Sequence, residues 1–216
     1  MRLYRLGNAV LDLDKANAEL RMKDPEEVIR WALDLGEPTI MTTSFGPNSG
    51  ALLHMLAAVD KSVPVVWADS GYNMRDTYVV AEQLIKTLDL DARVYVPAVS
   101  AERLNVQLGG IPTLDDPEKH AEFTRIVKLE PFRRALDELS PKVWISGIRH
   151  GETELRKNLD ILSYDNDGIL KVAPIFFWSD ERLDRYMEQY ELPSCRHYFD
   201  PTKVESGREC GLHTSA

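Results

Sequence analysis

The feature that most constrains the fold of this chain is a regular alternation of short apolar runs with helical patterns. The runs predicted to be strands cover residues 39–43, 63–68, 93–96 and 143–147. Strands that are almost continuously apolar are buried on both faces, and strands separated by helices pair in parallel. The 216 residues are enough to form one core of this kind without disulfides. We therefore predict an α/β fold, in which a parallel twisted sheet is flanked by helices.

Helix signals mark the segments between the strands. The predicted helices cover residues 24–36, 52–59, 78–88, 130–139 and 179–190. In the first of them Asp24 is an N-cap, Pro25 occupies the first helical position, and Gly36 is a stop signal. Residues 170–173 are predicted to be a short edge strand.

Charge and cysteine content exclude several classes of function. Lys and Arg total 26 and Asp and Glu total 35, giving a net charge of −9 at pH 7, so we expect no nucleic acid or anionic membrane partner bound through bulk charge. No apolar run approaches the roughly 18 residues of a membrane span, and the N-terminal residues do not resemble an export signal. We therefore expect a cytoplasmic protein. The two cysteines, Cys195 and Cys210, are too few for a four-thiolate zinc site or a cysteine-ligated iron–sulfur cluster.

Three segments lie where a parallel sheet binds its ligands, at the carboxyl ends of predicted strands. These segments are residues 44–50, 69–72 and 147–156. The small residues of the first would let backbone N–H groups contact an anion, although an ordinary strand-to-helix turn has the same composition. No Lys-Ser/Thr pair follows its last glycine, so the segment is not the loop of magnesium-dependent nucleotide hydrolases.

Fixed positive charge follows the last of these strands. Arg149 and Arg156 carry guanidinium groups that bind phosphate or sulfate oxygens in pairs. The alternative is that they form a solvated charge cluster with Glu152 and Glu154. Lys128, just before a predicted helix, is a weaker candidate for the same role.

The predicted organisation is one α/β domain with N-terminal helices, residues 1–200, followed by a mobile tail, residues 201–216. Between residues 203 and 213 the tail has only two sizeable apolar side chains, Val204 and Leu212, so few contacts would hold it against the domain.

A cysteine in this tail is a candidate nucleophile. Cys210 lies between Arg208 and His213, and cationic neighbours lower the pKa of a thiol and favour the reactive thiolate. The alternative is a frayed terminus with an incidental cysteine.

Together and in this order, the motifs resemble those of the thioredoxin-dependent sulfonucleotide reductases, in particular the branch that uses 3′-phosphoadenylyl sulfate (PAPS). The resembling motifs are Thr43-Ser44-Phe45-Gly46, Asp69-Ser70-Gly71-Tyr72, Asp76-Thr77-Tyr78, Lys128-Leu129-Glu130-Pro131, Arg134-Ala135-Leu136, Gly147-Ile148-Arg149, Arg156 with Asn158-Leu159, and Glu209-Cys210-Gly211-Leu212-His213. The first is similar to the family's modified PP-loop and the last to its catalytic tail, and this pair is highly specific. The resemblance implies an adenine nucleotide alpha hydrolase-like fold.

The resemblance also implies a reaction and a partner. Cys210 would attack the sulfuryl group of PAPS, His213 would orient the tail, and thioredoxin or glutaredoxin would act as the external reductant that releases sulfite. The implied substrate-binding residues are Ser44, Phe45, Gly46, Asp69, Ser70, Gly71, Lys128, Arg149 and Arg156. No bound cofactor or metal is expected. The sequence leaves open whether the chain forms a homodimer.

This chain departs from the family pattern in the arginine segment. The family often has Gly-(Ile/Leu)-Arg-Arg-x-Gln-Ser there, and His150, Glu152 and Thr153 replace Arg, Gln and Ser. A titratable histidine in place of a fixed charge predicts weaker or pH-sensitive substrate binding near neutral pH.

The cysteines distinguish the branches of the family. Phe123-Thr124 stands where the branch that uses adenylyl sulfate (APS) has a Cys-Cys pair for a [4Fe–4S] cluster, so the cluster-free PAPS branch is expected. Cys195 has no role in the family pattern. It is expected to be buried, with a protective disulfide to Cys210 as the alternative.

Three other functions stay open at this point. One is APS reduction without a cluster. Another is an ATP pyrophosphatase of the same fold, although Phe45 and Asn48 do not match its usual Ser-Gly-Gly-x-Asp-Ser loop. The third is a nucleotide-binding regulatory protein, for which Cys210 would be dispensable.

Overall fold

The computed structural model describes residues 3–6, 9–165, 167–195 and 197–203. In chain order its elements are β1 (Leu3–Leu6), β2 (Ala9–Asp12), α1 (Leu13–Leu20), α2 (Pro25–Leu33), β3 (Thr39–Thr42), α3 (Ser49–Asp60), β4 (Val65–Ala68), α4 (Arg75–Leu88), β5 (Ala92–Tyr95), α5 (Ala101–Leu108), α6 (Pro117–Thr124), α7 (Glu130–Leu139), β6 (Val143–Ile145), β7 (Leu162–Tyr164), β8 (Leu170–Val172) and α8 (Asp180–Gln189). The helices and strands predicted between residues 24 and 96 are all present.

A six-stranded sheet with the order β5-β4-β3-β6-β8-β7 forms the centre of the molecule. The pairs β4–β5, β3–β4, β3–β6 and β6–β8 are parallel, and β7 pairs antiparallel with β8. The predicted parallel sheet is therefore confirmed, with one antiparallel edge strand added.

Helices cover both faces of this sheet. Alternate residues of β3 point to opposite faces, so Met41 packs with α2 and α3, whereas Ile40 packs with Phe132 of α7 and Trp144. Burial on both faces is why the strands lack polar alternation. None of the helices in the described residues is long and apolar enough to cross a membrane.

The strand at residues 170–173 is not at the edge, which corrects the sequence-based prediction. β8 is paired on both sides, by β6 and β7, and all its residues are buried. The edge strand is β7, which pairs with β8 from Leu162 opposite Val172 to Tyr164 opposite Leu170. Three residues of mixed polarity are too short a pattern to predict a strand without knowing its partner.

The N-terminal part contains a two-stranded sheet in addition to its helices, and the sequence-based prediction did not include these strands. β1 and β2 pair antiparallel before α1 begins, and Asp12 caps α1 by accepting a hydrogen bond from the Lys15 N–H at 3.2 Å. Gly7-Asn8 between two short runs is a hairpin signal that could have indicated this pairing.

A wide turn of π-helix, Arg125–Leu129, joins α6 to α7. The Glu130 N–H donates to the Arg125 carbonyl oxygen, five residues back. Pro131 has no N–H to donate to the carbonyl of Val127, so the usual four-residue pattern cannot continue through this point. The wide turn carries Lys128.

Candidate active site

The site lies where the strand order reverses. From β3 the chain continues to β4 and β5 on one side and returns to β6 on the other, so the loops after β3 and β6 separate at the same edge of the sheet. Such a crevice is the usual ligand site of an open α/β sheet. Here it is a cavity of about 360 Å³.

The loop after β3 is held in place by Phe45. This residue has a left-handed backbone, with φ of 48°, and its ring is fully buried and packs edge-on against Trp67 with ring centres 4.9 Å apart. The Phe45 N–H donates to Thr43 Oγ1 at 3.1 Å. Because the Phe45 ring points into the core, Ser44 and Gly46 face the cavity and Phe45 does not line it. Phe45 therefore positions the loop.

The loop after β4 is organised around Asp69. One oxygen of its buried carboxylate, Oδ1, accepts from the Gly71 N–H at 2.9 Å, from Asn73 Nδ2 at 2.8 Å and from the Tyr78 hydroxyl at 2.9 Å. Burial and the adjacent Asp69 charge raise the pKa of Tyr78 to about 12, so the hydroxyl stays a donor. Ser70 and Asn73 line the cavity, whereas Asp69 and Gly71 shape the loop behind them.

Lys128 reaches the cavity from the π-helical turn and is paired there. Its Nζ lies 2.5 Å from Asp200 Oδ2 and 3.3 Å from Thr202 Oγ1. The two side chains of the ion pair are 10% and 7% exposed. Burial opposes the charge on Asp200, but the Lys128 ammonium and the hydrogen bonds from Lys128 and Thr202 outweigh it, so the pKa of Asp200 is lowered.

Arg149 and Arg156 also line the cavity, and Glu152 bridges them. Arg149 donates to this carboxylate twice at 3.2 Å, from Nη2 to Oε1 and from its backbone N–H to Oε2. Arg156 Nη1 also donates to Oε2. Arg149 contacts Asp180 as well, at 2.8 Å. The arginine side chains are 15% and 5% exposed, so the cluster is not the solvated one considered as an alternative. Glu154 pairs instead with Lys157.

His150 does not line the cavity. Its ring packs against Phe176 and Phe177, with ring centres 5.8 and 5.9 Å away, and its N–H donates to the Phe176 carbonyl oxygen at 2.9 Å. The predicted pH-sensitivity through direct substrate contact therefore has no support from the position of this side chain. Glu152 is the substituted residue that reaches the cavity.

The segment leading to the C-terminus packs over the loop after β3. The Ser194 hydroxyl donates to the Pro47 carbonyl oxygen at 2.8 Å, and the Cys195 thiol donates to the Phe45 carbonyl oxygen at 3.5 Å. Tyr198, Asp200 and Lys203 then line the cavity. Sequence reasoning missed these three residues, because no pattern in the sequence places this segment beside β3. Residues 204–216, which include Cys210 and His213, lie outside the described residues.

Cys195 is 2% exposed, which agrees with the expectation that it is buried, and burial raises the pKa of its thiol. A buried thiol with a raised pKa reacts slowly, because the reagent needs an accessible thiolate. We expect that in a Cys210→Ser variant a thiol reagent modifies nothing in the folded protein and one group per chain in denaturant. Rapid modification of the folded variant would contradict the buried position of Cys195.

Six of the residues predicted to bind substrate therefore line the cavity: Ser44, Gly46, Ser70, Lys128, Arg149 and Arg156. Its polar groups suit a ligand with several anionic oxygens. Within the described ranges, no three or more His, Cys, Asp or Glu side chains are grouped so that they could hold a metal ion.

Comparison with known proteins identifies the family. The model of the phosphoadenosine phosphosulfate reductase domain matches residues 38–201, well over half of the chain. The chain belongs to this family. The match begins just before β3 and ends at residue 201, so it includes every residue that lines the cavity except Lys203.

Curated members of the phosphoadenosine phosphosulfate reductase family align with nearly the whole chain. The phosphoadenosine 5′-phosphosulfate reductase of Photobacterium profundum is 35% identical over 94% of this chain and 89% of its own length. The enzyme of that name from Synechocystis is 32% identical over 91% of this chain and 79% of its own length.

Solved structures share the fold of this chain. The phosphoadenylyl-sulfate reductase of Candida auris, solved as a phosphate complex, superposes with a TM-score of 0.74 at 24% identity, covering 88% of this chain and 92% of the other. FMN adenylyltransferase of Candida glabrata matches with a TM-score of 0.52 at 14% identity, over 73% of this chain and 50% of the other. These likenesses agree with the predicted fold, a mostly parallel sheet flanked by helices.

Proposed function

We propose that this chain reduces PAPS to sulfite and adenosine 3′,5′-bisphosphate, with Cys210 as the nucleophile and thioredoxin or glutaredoxin as the reductant. The reaction would serve assimilatory sulfate reduction and cysteine biosynthesis in the cytoplasm. Family membership and the names of the relatives support the reductase activity. The roles of Cys210 and of the dithiol protein rest on the sequence motif.

The observation that carries the proposal is the position of Lys203. This residue lines the cavity, and Cys210 follows it by seven residues. Seven extended residues span at most roughly 25 Å, at about 3.3–3.6 Å per residue. Chain length therefore allows the Cys210 thiol to reach a ligand in any part of the cavity.

The cavity residues suit the ligand. Arg149, Arg156 and Lys128 supply positive charge for phosphate and sulfate oxygens, and α3 begins at Ser49 with its N-terminus toward the loop after β3. An anionic thiolate is repelled by an anionic sulfuryl group, and fixed cations reduce that repulsion as the two approach. The same cations would stabilise the phosphate that leaves.

The first step forms one bond and breaks one. The Cys210 thiolate attacks the sulfur of the sulfuryl group, and a sulfur–sulfur bond forms. The bond from that sulfur to the bridging phosphate oxygen breaks, and its electron pair stays on adenosine 3′,5′-bisphosphate. The phosphate leaves as a stable anion and does not need to be protonated, so no general acid is needed. Cys210 is left as an S-sulfonate.

The second step is thiol–disulfide exchange. A thiolate of the reductant attacks Cys210 Sγ, sulfite leaves with the electron pair of the sulfur–sulfur bond, and a mixed disulfide forms. The second thiol of the reductant then displaces Cys210. The dithiol loses two electrons and becomes a disulfide, the sulfur of the substrate gains them, and Cys210 returns to its thiolate.

An intact-mass measurement tests this function. Protein incubated with PAPS in the absence of reductant should gain one SO₃, located on the peptide that contains Cys210, because the first step needs no external electrons. Addition of thioredoxin should remove the adduct and release an equal amount of sulfite.

Parallel incubations separate the alternatives. An adduct with APS that equals the one with PAPS would contradict the PAPS assignment. Release of pyrophosphate from ATP would favour an ATP pyrophosphatase, and no adduct with either sulfonucleotide would favour a nucleotide-binding protein. Either of these results would overturn the proposed reaction.

A further inference from the structure

Three of the cations that line the cavity are in contact with a carboxylate. Lys128 contacts Asp200, and both Arg149 and Arg156 contact Glu152. Glu152 differs from Asp200 because it stands between two arginines and uses both of its oxygens. Its side chain is 37% exposed and lines the cavity, whereas Arg156 behind it is 5% exposed.

A carboxylate in this position imitates a ligand. Guanidinium groups bind carboxylate, phosphate and sulfate oxygens through the same N–H donors. Glu152 accepts hydrogen bonds from Arg149 Nη2, from the Arg149 backbone N–H and from Arg156 Nη1. An anionic ligand group in this part of the cavity would bind the same donors. Asp180 also contacts Arg149, but its side chain is 72% exposed and solvent screens it.

We propose that Glu152 is a built-in counter-anion of the substrate site, which the anionic groups of the nucleotide must displace from Arg149 and Arg156. In the empty site it neutralises the two guanidiniums and holds them in place. When the ligand binds, Glu152 gives up these hydrogen bonds and leaves a negative charge close to the incoming anion. Glu152 therefore sets the affinity of the site for anions. The inference deepens the proposed function and rests on it for the identity of the nucleotide.

Binding measurements test this role without turnover. Removing one unit charge within several ångströms of the ligand should tighten binding, so Glu152→Gln should lower the Kd of adenosine 3′,5′-bisphosphate roughly five- to tenfold. Titration calorimetry should give a change in the same direction for inorganic phosphate, which probes the cations alone.

Two variants serve as matched controls. Glu154→Gln removes the same charge two residues away, from an 87% exposed side chain that pairs with Lys157, and should leave both Kd values unchanged. Glu152→Asp keeps the charge and should not reproduce the tighter binding. Thermal unfolding of each variant verifies that it is folded.

The outcomes distinguish the two proposals. Weaker binding by Glu152→Gln would mean that the carboxylate only positions the arginines, and equal tightening by Glu154→Gln would mean a general charge effect; either result overturns the counter-anion role. If the unaltered protein bound neither phosphate nor the bisphosphate, the proposed function itself would fail.

Discussion

Replacement of Cys210 by Ser is expected to lower sulfite formation from PAPS roughly a thousandfold or more, because a hydroxyl at neutral pH is a far weaker nucleophile than a thiolate. Binding of adenosine 3′,5′-bisphosphate should change little, since Lys128, Arg149 and Arg156, the side chains proposed to bind phosphate, line the cavity and do not belong to the tail. The measurement is steady-state sulfite release with thioredoxin, together with the Kd of the bisphosphate.

Cys195→Ala is the matched control for this variant. Cys195 is buried against the loop after β3, and removal of its sulfur leaves a small gap that should cost about 1 kcal/mol of stability. Its sulfite-forming activity should stay within a few-fold of the unaltered protein. If Cys210→Ser kept its activity, or if Cys195→Ala lost it, the assignment of the nucleophile would be wrong.

Breaking the ion pair between Lys128 and Asp200 should have the largest effect on stability. Lys128→Met leaves the Asp200 carboxylate buried without its cation, which typically costs about 3–5 kcal/mol of unfolding free energy. The double variant with Asp200→Asn leaves no uncompensated charge and should recover part of this loss. Urea unfolding of the two single variants and the double variant measures the coupling between the residues.

The pH-dependence of unfolding gives an independent check. The pKa of Asp200 is lower in the folded protein than in the unfolded chain. Its contribution is therefore fully present above about pH 4, the unfolded value, and is lost as the pH falls through the folded value. Asp200→Asn should flatten this acid limb of the stability curve. An unchanged acid limb, or a loss of less than about 1 kcal/mol in Lys128→Met, would contradict a stabilising buried pair.

The ion pair between Lys128 and Asp200 also holds the segment that leads to Cys210 against the cavity. Asp200 lies three residues before Lys203, at the end of the described chain, and Lys128 holds it against the cavity. Lys128→Met should therefore weaken the attachment of the segment that leads to Cys210 as well as remove a cation from the site.

Much of the architecture follows from local pattern. Strands β3, β4 and β6 were predicted because both of their faces are buried, and that burial removes polar alternation from the sequence. α7 was predicted at its observed bounds, Glu130–Leu139. β8 was predicted at residues 170–173 but at the edge of the sheet, and β7 was not predicted, because its mixed polarity carries no strand signal without knowledge of its partner.

Some features of the candidate site could likewise be predicted from the sequence, and others required the structure. Residue types and local motifs predict which side chains could bind anions and which thiol is the candidate nucleophile, because guanidinium groups, small-residue loops and a cysteine between cationic neighbours have the same chemistry in any fold. The three-dimensional structure was needed to show that Phe45 and Asp69 support the loops, that Glu152 bridges two arginines, and that Asp200 pairs with Lys128. Lys128 and Asp200 are 72 positions apart along the chain, and only the folding of the sheet brings their segments to one edge. Glu152 and Asp69 contact residues within nine positions of themselves, but the path of the loop backbone decides which of these side chains meet.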